Sequence, residues 1–253
     1  MIEGAVTGYE GEFDFPARQE PPARPYLFAS VPRSGSTYAS HLLWATGCLG
    51  APLEYLNFEP AGPFGFAYAS PARQAELWRS VLQRRTSPNG VFGLKAFPLQ
   101  LQGLHEHNAP LMAQVMRLLF ARAEGARVVQ LRRRNRPAHA ISYARALASG
   151  IWRSEQEGPD RPEPEYSREA VTRAEVLIDE QEGAWRAMYR DLRIEPLEIW
   201  YEDVLSDPHG TIQAVASHLG VPVERGAAVA VPPIVRQSQA GARAWAERHA
   251  AAE

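Results

Sequence analysis

Six consecutive residues, Pro32-Arg33-Ser34-Gly35-Ser36-Thr37, set three hydroxyls, a guanidinium and a glycine side by side. That mixture suits the binding of an anion. Gly35 lets the backbone approach closely, the hydroxyls of Ser34, Ser36 and Thr37 offer donors, and Arg33 adds a full positive charge. A nucleoside triphosphate loop would read G-x-x-x-x-G-K-[ST]. With its second glycine aligned on Gly35, Ser30 stands at the first glycine and Ser36 at the lysine, while Thr37 keeps the hydroxyl position. The turn therefore fits one nucleotide phosphate better than a magnesium-bound triphosphate. By itself the same tetrad is also an ordinary helix cap.

A second cationic group lies at Arg132, Arg133, Arg134 and Arg136. Arginine binds phosphate through paired donors, so this cluster suits a second phosphate, with Ser142 on the following helix facing back toward it. A solvated basic turn and nonspecific RNA binding remain open for such a run, although no aromatic residues interleave the arginines. Taken together, the two stretches predict two anion pockets at the amino-terminal ends of two helices, spaced for the two ends of one ligand.

The elements around these residues are legible from hydrophobic patterning. YLFASV from Tyr26 reads as a buried strand, and residues 38–47 follow as a helix closed by Gly47. Residues 48–71 have no period and read as a functional loop. A helix is predicted over 72–85, with Leu77, Trp78, Val81 and Leu82 inward. A strand follows over 91–97, then a helix from Pro110 to Gly125 and a strand over 126–132. Pro137 opens a helix that ends at Gly150, and 155–165 is an acidic, proline-rich loop. Residues 168–192 form a long helix, 196–202 a strand, and helices surround Leu219 and Trp245. Strands alternating with helices predict an α/β sandwich with a mostly parallel sheet.

Hydrophobic residues make up 45% of the 253, enough for a real core, and a net charge of −2 excludes binding driven by bulk cationic charge. Cys48 is the single cysteine, so no internal disulfide forms and a reducing, cytoplasmic setting is expected. Residues 1–24 are rich in Gly, Pro and acid and read as a mobile arm ahead of one domain over 25–253. None of the seven histidines is assigned to catalysis.

SVPRSGST, ATGCLGAPLEYLN, NGVFGLK, VVQLRRRNRPAHAISYARA and QEGAWRAMY occur in this order. Together they resemble the bacterial trehalose 2-sulfotransferase family, relatives of the Nod-factor sulfotransferases. The resemblance implies a P-loop-like three-layer sandwich and the donor 3′-phosphoadenosine 5′-phosphosulfate, with no metal. It implies that Arg33, Ser34, Gly35, Ser36 and Thr37 hold the 5′-phosphosulfate and that Arg133, or its neighbour Arg134, and Ser142 hold the 3′-phosphate. Arg236 and Gln237 match a donor-contacting segment. Glu54 matches the general base, and Pro32, Ala51, Pro52, Leu53, Tyr55, Leu56 and Asn57 flank the acceptor. Trp152 and Trp185 also match family positions.

Where the trehalose enzymes carry a glutamine before the loop arginine this chain has Pro32, and Ala51 replaces an acidic residue. The expectation is thus a sulfotransferase acting on a hydroxyl of a carbohydrate or small glycoconjugate, possible as a homodimer, rather than on trehalose in particular. A P-loop kinase and a noncatalytic nucleotide-binding protein are the rival expectations.

Overall fold

A computed structural model describes residues 6–121, 125–152, 156, 163–223, 229–234 and 239–251. Four strands, β1 (Arg24–Ala29), β2 (Val91–Ala96), β3 (Val128–Arg132) and β4 (Leu197–Trp200), pair in the order β2-β1-β3-β4, every pair parallel. Parallel pairing requires crossover connections, and helices supply them. They are α1 (Ser36–Trp44), α2 (Pro71–Arg84), α3 (Pro98–His107), α4 (Ala109–Phe120), α5 (Arg136–Ser149), α6 (Arg168–Leu192), α7 (Tyr201–Ser206), α8 (Pro208–Leu219) and α9 (Gln239–Ala250).

Alternation along the strands explains the layering. In β1, Tyr26 and Phe28 join a core with Leu43 of α1, Val204 of α7 and Val215 and Leu219 of α8. Leu27 and Ala29 point the other way, into a core with Trp78 of α2, Val115 of α4, Ile141 of α5 and Ile178 of α6. Both sheet faces are covered, which is why the strands read as unbroken apolar runs. The α/β three-layer sandwich is thus present. None of the described helices is long and apolar enough to cross a membrane.

Chain direction along the sheet reverses between β1 and β3. The connection leaving β1 runs out to β2, and the next returns across β1 to β3. In open α/β sheets ligands bind beyond the carboxyl ends of the strands at such a switch point. The turn over 32–37 and the arginines from Arg132 onward sit at the two carboxyl ends that flank it.

Three expectations need correction. Residues 98–107 are a helix that the patterning did not show, started by Pro98 at its first turn. The last strand ends at Trp200, and Tyr201 opens α7 rather than extending the strand. The expected mobile arm is fastened over residues 7–18: Phe15 is in the core and Phe15 N–H donates to the Arg84 carbonyl at 2.8 Å. Most of the acidic loop over 155–165 lies outside the described residues.

Candidate active site

The turn after β1 is shaped by two left-handed residues. Gly35 has φ 90°, and a Cβ there would run into the Tyr201 ring. Arg33, a non-glycine, also has positive φ, at 66°. Such a conformation costs about 1–3 kcal/mol and persists only where the surroundings hold it. His139 is one restraint: its Nε2 donates to the Pro32 carbonyl at 2.8 Å. Burial, and then the charges of Arg133, Arg136 and Arg33, push the imidazole down to about 4 against the opposing pull of that carbonyl bond, so it stands neutral at pH 7. Trp185 is the other, donating from Nε1 to the Ser30 carbonyl at 2.8 Å.

No side chain caps the amino terminus of α1, and Ser34 Oγ is buried without a hydrogen-bond partner among the described residues. Uncapped helix N–H groups with the positive end of the helix dipole behind them form an anion cradle. An orphaned buried hydroxyl beside them is the fit expected for an anion.

Arg33 turns toward the second candidate pocket. Its Nε donates to Ser142 Oγ at 3.1 Å and its Nη1 to the Trp152 carbonyl at 2.6 Å. Arg133 reaches back, donating from Nη1 to the Arg33 carbonyl at 3.3 Å, with its guanidinium 5.1 Å from the Tyr201 ring centroid. Arg33 thus links the two turns, its side chain meeting Ser142 and its carbonyl meeting Arg133. The neighbouring arginines are engaged elsewhere. Arg132 pairs with Glu182 at 3.0 Å and Glu198 at 3.4 Å, Arg136 with Glu182 and Asp179, and Arg134 with Asp203 through both nitrogens. Glu202 accepts the backbone N–H groups of Arg134 and Asn135, and Asn135 caps α5. The second helix end is thus closed by protein, which corrects the expectation that it too cradles an anion.

Glu54 lies where an irregular loop touches the sheet. Leu53 makes a single parallel bridge to Leu94, and Lys95 N–H donates to the Leu53 carbonyl at 3.1 Å. Gly93 permits this approach, since a Cβ there would lie 2.7 Å from both Pro52 Cβ and the Tyr26 ring. Glu54 Oε1 pairs with Lys95 Nζ at 3.0 Å, and Oε2 accepts from Gln100 at 2.9 Å and Asn57 at 3.2 Å. Lys95 also donates to Thr37 Oγ1 at 3.3 Å, linking the glutamate to the anion turn. A lysine does reach this turn, from strand β2 rather than from the loop itself.

The other acceptor candidates divide. Ala51, Leu53, Tyr55 and Leu56 are core residues, Pro52 packs on Gly93, and Pro32 is buried under His139. These side chains are buried, and Asn57 lies beside the carboxylate. Arg236 and Gln237 lie outside the described residues. Trp152 is 39% exposed and Trp185 is buried packing. Sequence reasoning missed Lys95, Gln100, His139 and Tyr201. For Lys95 a signal existed, a lysine inside a strand otherwise apolar throughout.

A doubly wound parallel sheet with a glycine-bearing turn and an uncapped helix at its switch point defines a P-loop-like α/β domain. The chain belongs to the Stf0 sulphotransferase family, whose model matches residues 25–252, and it is a sulfotransferase. It is 26% identical to the trehalose 2-sulfotransferase of Mycobacterium tuberculosis, over 90% of this chain and 95% of that one. It is 24% identical to the enzyme of the same name from Mycolicibacterium smegmatis, over 88% and 93%. The sulfotransferase domain of the Synechococcus PCC 7002 olefin synthase shares the fold, with TM-score 0.50, 16% identity, and coverage of 84% of this chain and 79% of that one.

Proposed function

We propose that the enzyme transfers the sulfuryl group of 3′-phosphoadenosine 5′-phosphosulfate to a hydroxyl of a carbohydrate or small glycoconjugate, with Glu54 as general base. One observation carries the reading: Lys95 ties the buried Glu54 carboxylate to Thr37 of an open anion turn. The names of the mycobacterial relatives support a carbohydrate acceptor.

In this reading the backbone of residues 34–37 and the hydroxyls of Ser34, Ser36 and Thr37 hold the 5′-phosphosulfate, and Arg33, Arg133 and Ser142 reach the 3′-phosphate side. The donor supplies the sulfuryl group. The acceptor oxygen forms a bond to sulfur as the bridging sulfur–oxygen bond breaks, the departing nucleotide keeps that electron pair, and the acceptor proton passes to Glu54. An ion pair presents Glu54 as a carboxylate, the form that accepts a proton. Lys95 and the turn amides stabilise charge on the sulfuryl oxygens and the leaving phosphate, the kind of electrostatic contribution that dominates such transfers. The single cysteine supports a cytoplasmic setting, and the family match over 25–252 supports one catalytic domain.

Glu54→Gln is the test, with sulfur-radiolabelled donor and a panel of mono- and disaccharides including trehalose. Turnover is expected to fall by about 10²–10⁴-fold, with donor affinity kept within about twofold. Equal turnover in the variant, or none in the wild type with donor still bound, would overturn the reading.

A further inference from the structure

Residues 7–18 precede the family match, which starts at residue 25. Arg85, at the end of α2, holds this segment. Its guanidinium, 4% exposed, donates to the carbonyls of Gly8 and Glu10 at 2.9 Å each and pairs with Asp14 at 2.9 Å. Farther along, Arg18 donates to the Pro88 carbonyl at 2.7 Å. A buried guanidinium is tolerated only when its donors are met, so these bonds fix where the segment lies. A cavity of about 110 Å³, lined by Asp14, Leu77, Val81 and Arg85 among others, remains between the segment and α2. Polar fasteners and the buried Phe15 together hold it there.

At its near end the segment delivers Tyr9 to the glutamate loop. The Tyr9 hydroxyl accepts the Glu54 backbone N–H at 3.1 Å, and its ring meets Tyr55 and Phe64 edge-on, with centroids 6.3 and 5.2 Å away. Glu54 follows the one bridged residue of the loop, so its N–H has left the sheet ladder and needs another acceptor. We infer that residues 7–18 are a brace for the catalytic loop, with Tyr9 a positioning residue that fixes the backbone of Glu54. The inference rests on the reading of Glu54 as the base. A displacement of about 1 Å at a reacting group can cost about 10²-fold in rate, so holding this backbone has a direct kinetic consequence.

Tyr9→Phe in the full chain removes the hydroxyl and keeps the ring. Turnover per donor-binding site, with the best acceptor of the sugar panel, is expected to fall about tenfold. Donor KM should stay within about twofold, and hydrogen exchange at the Glu54 amide should quicken about tenfold. A purely structural role would instead lower Tm and the donor-binding fraction and leave turnover per site unchanged, overturning the inference. Unchanged exchange with unchanged turnover would overturn it too, while an inactive Glu54→Gln left the base reading standing. If Glu54→Gln kept full turnover, the base reading would fall first and the inference with it.

Discussion

The turn after β1 and the turn after β3 sit at the carboxyl ends of adjacent parallel strands, yet they are built on opposite plans. In the first, the helix behind is uncapped and a buried hydroxyl has no partner among the described residues. In the second, Asn135 caps the helix, Glu202 occupies the turn amides, and carboxylates take up Arg132, Arg134 and Arg136. In the proposed reading the first turn offers its backbone to the donor, and the second contributes through the side chains of Arg133 and Ser142. A row of arginines is thus a poor guide to a site until the acids opposing each one are known.

Gly35→Ala strikes the backbone half and should have the largest effect. It forces a left-handed alanine whose Cβ meets the Tyr201 ring. Strain of this kind costs about 1–3 kcal/mol before the clash is relieved, so donor affinity should drop by at least about 100-fold. Isothermal titration with adenosine 3′,5′-bisphosphate measures it, and affinity within about threefold of wild type would show that the turn backbone is not the cradle.

His139 connects the halves, lying on α5 and holding the Pro32 carbonyl. Its ring stands near pKa 4 in the folded chain against 6.5 unfolded, so between these values the unfolded chain binds more protons. The stability it contributes is complete above pH 6.5 and is lost as pH falls toward 4. The loss amounts to at most about 3 kcal/mol. His139→Gln keeps a donor for Pro32 without the titration. Urea unfolding at pH 7 and pH 5 should show a smaller acid-induced loss in the variant, and equal losses would remove His139 from the account.

Much of this was legible in local sequence. The turn over 32–37 announces itself because glycine and hydroxyls are contiguous, and the strands because burial on both faces makes unbroken apolar runs. What stayed hidden depends on residues distant in the chain. Arg133 and Arg134 are equivalent as letters, and the fold sends them apart: Arg134 grips Asp203 through both terminal nitrogens, whereas Arg133 reaches the Arg33 carbonyl and the Tyr201 ring. Glu54 gains its setting from Lys95 and Gln100, more than 40 positions away. Helix α3 was hidden because Leu101 and Leu104 are its only buried side chains, too few to mark a stripe. The contacts of the arm over 7–18 stayed hidden because they are made to residues far along the chain, Arg85 for its carbonyls and the core around Phe15 for its apolar side chains.

The smallest change makes the sharpest contrast. Arg134→Ala alters an exposed pair and should change nucleotide affinity by less than about threefold. Arg133→Ala should cost about 30–100-fold, as expected for a charge-assisted bond to phosphate. Titrating wild type, Arg133→Ala and Arg134→Ala with adenosine 3′,5′-bisphosphate and with adenosine 5′-phosphate tests this directly. Wild type and Arg134→Ala should prefer the bisphosphate strongly, and Arg133→Ala should lose most of that preference. Equal affinity of the wild-type protein for the two nucleotides would contradict the two-ended grip on which the account rests.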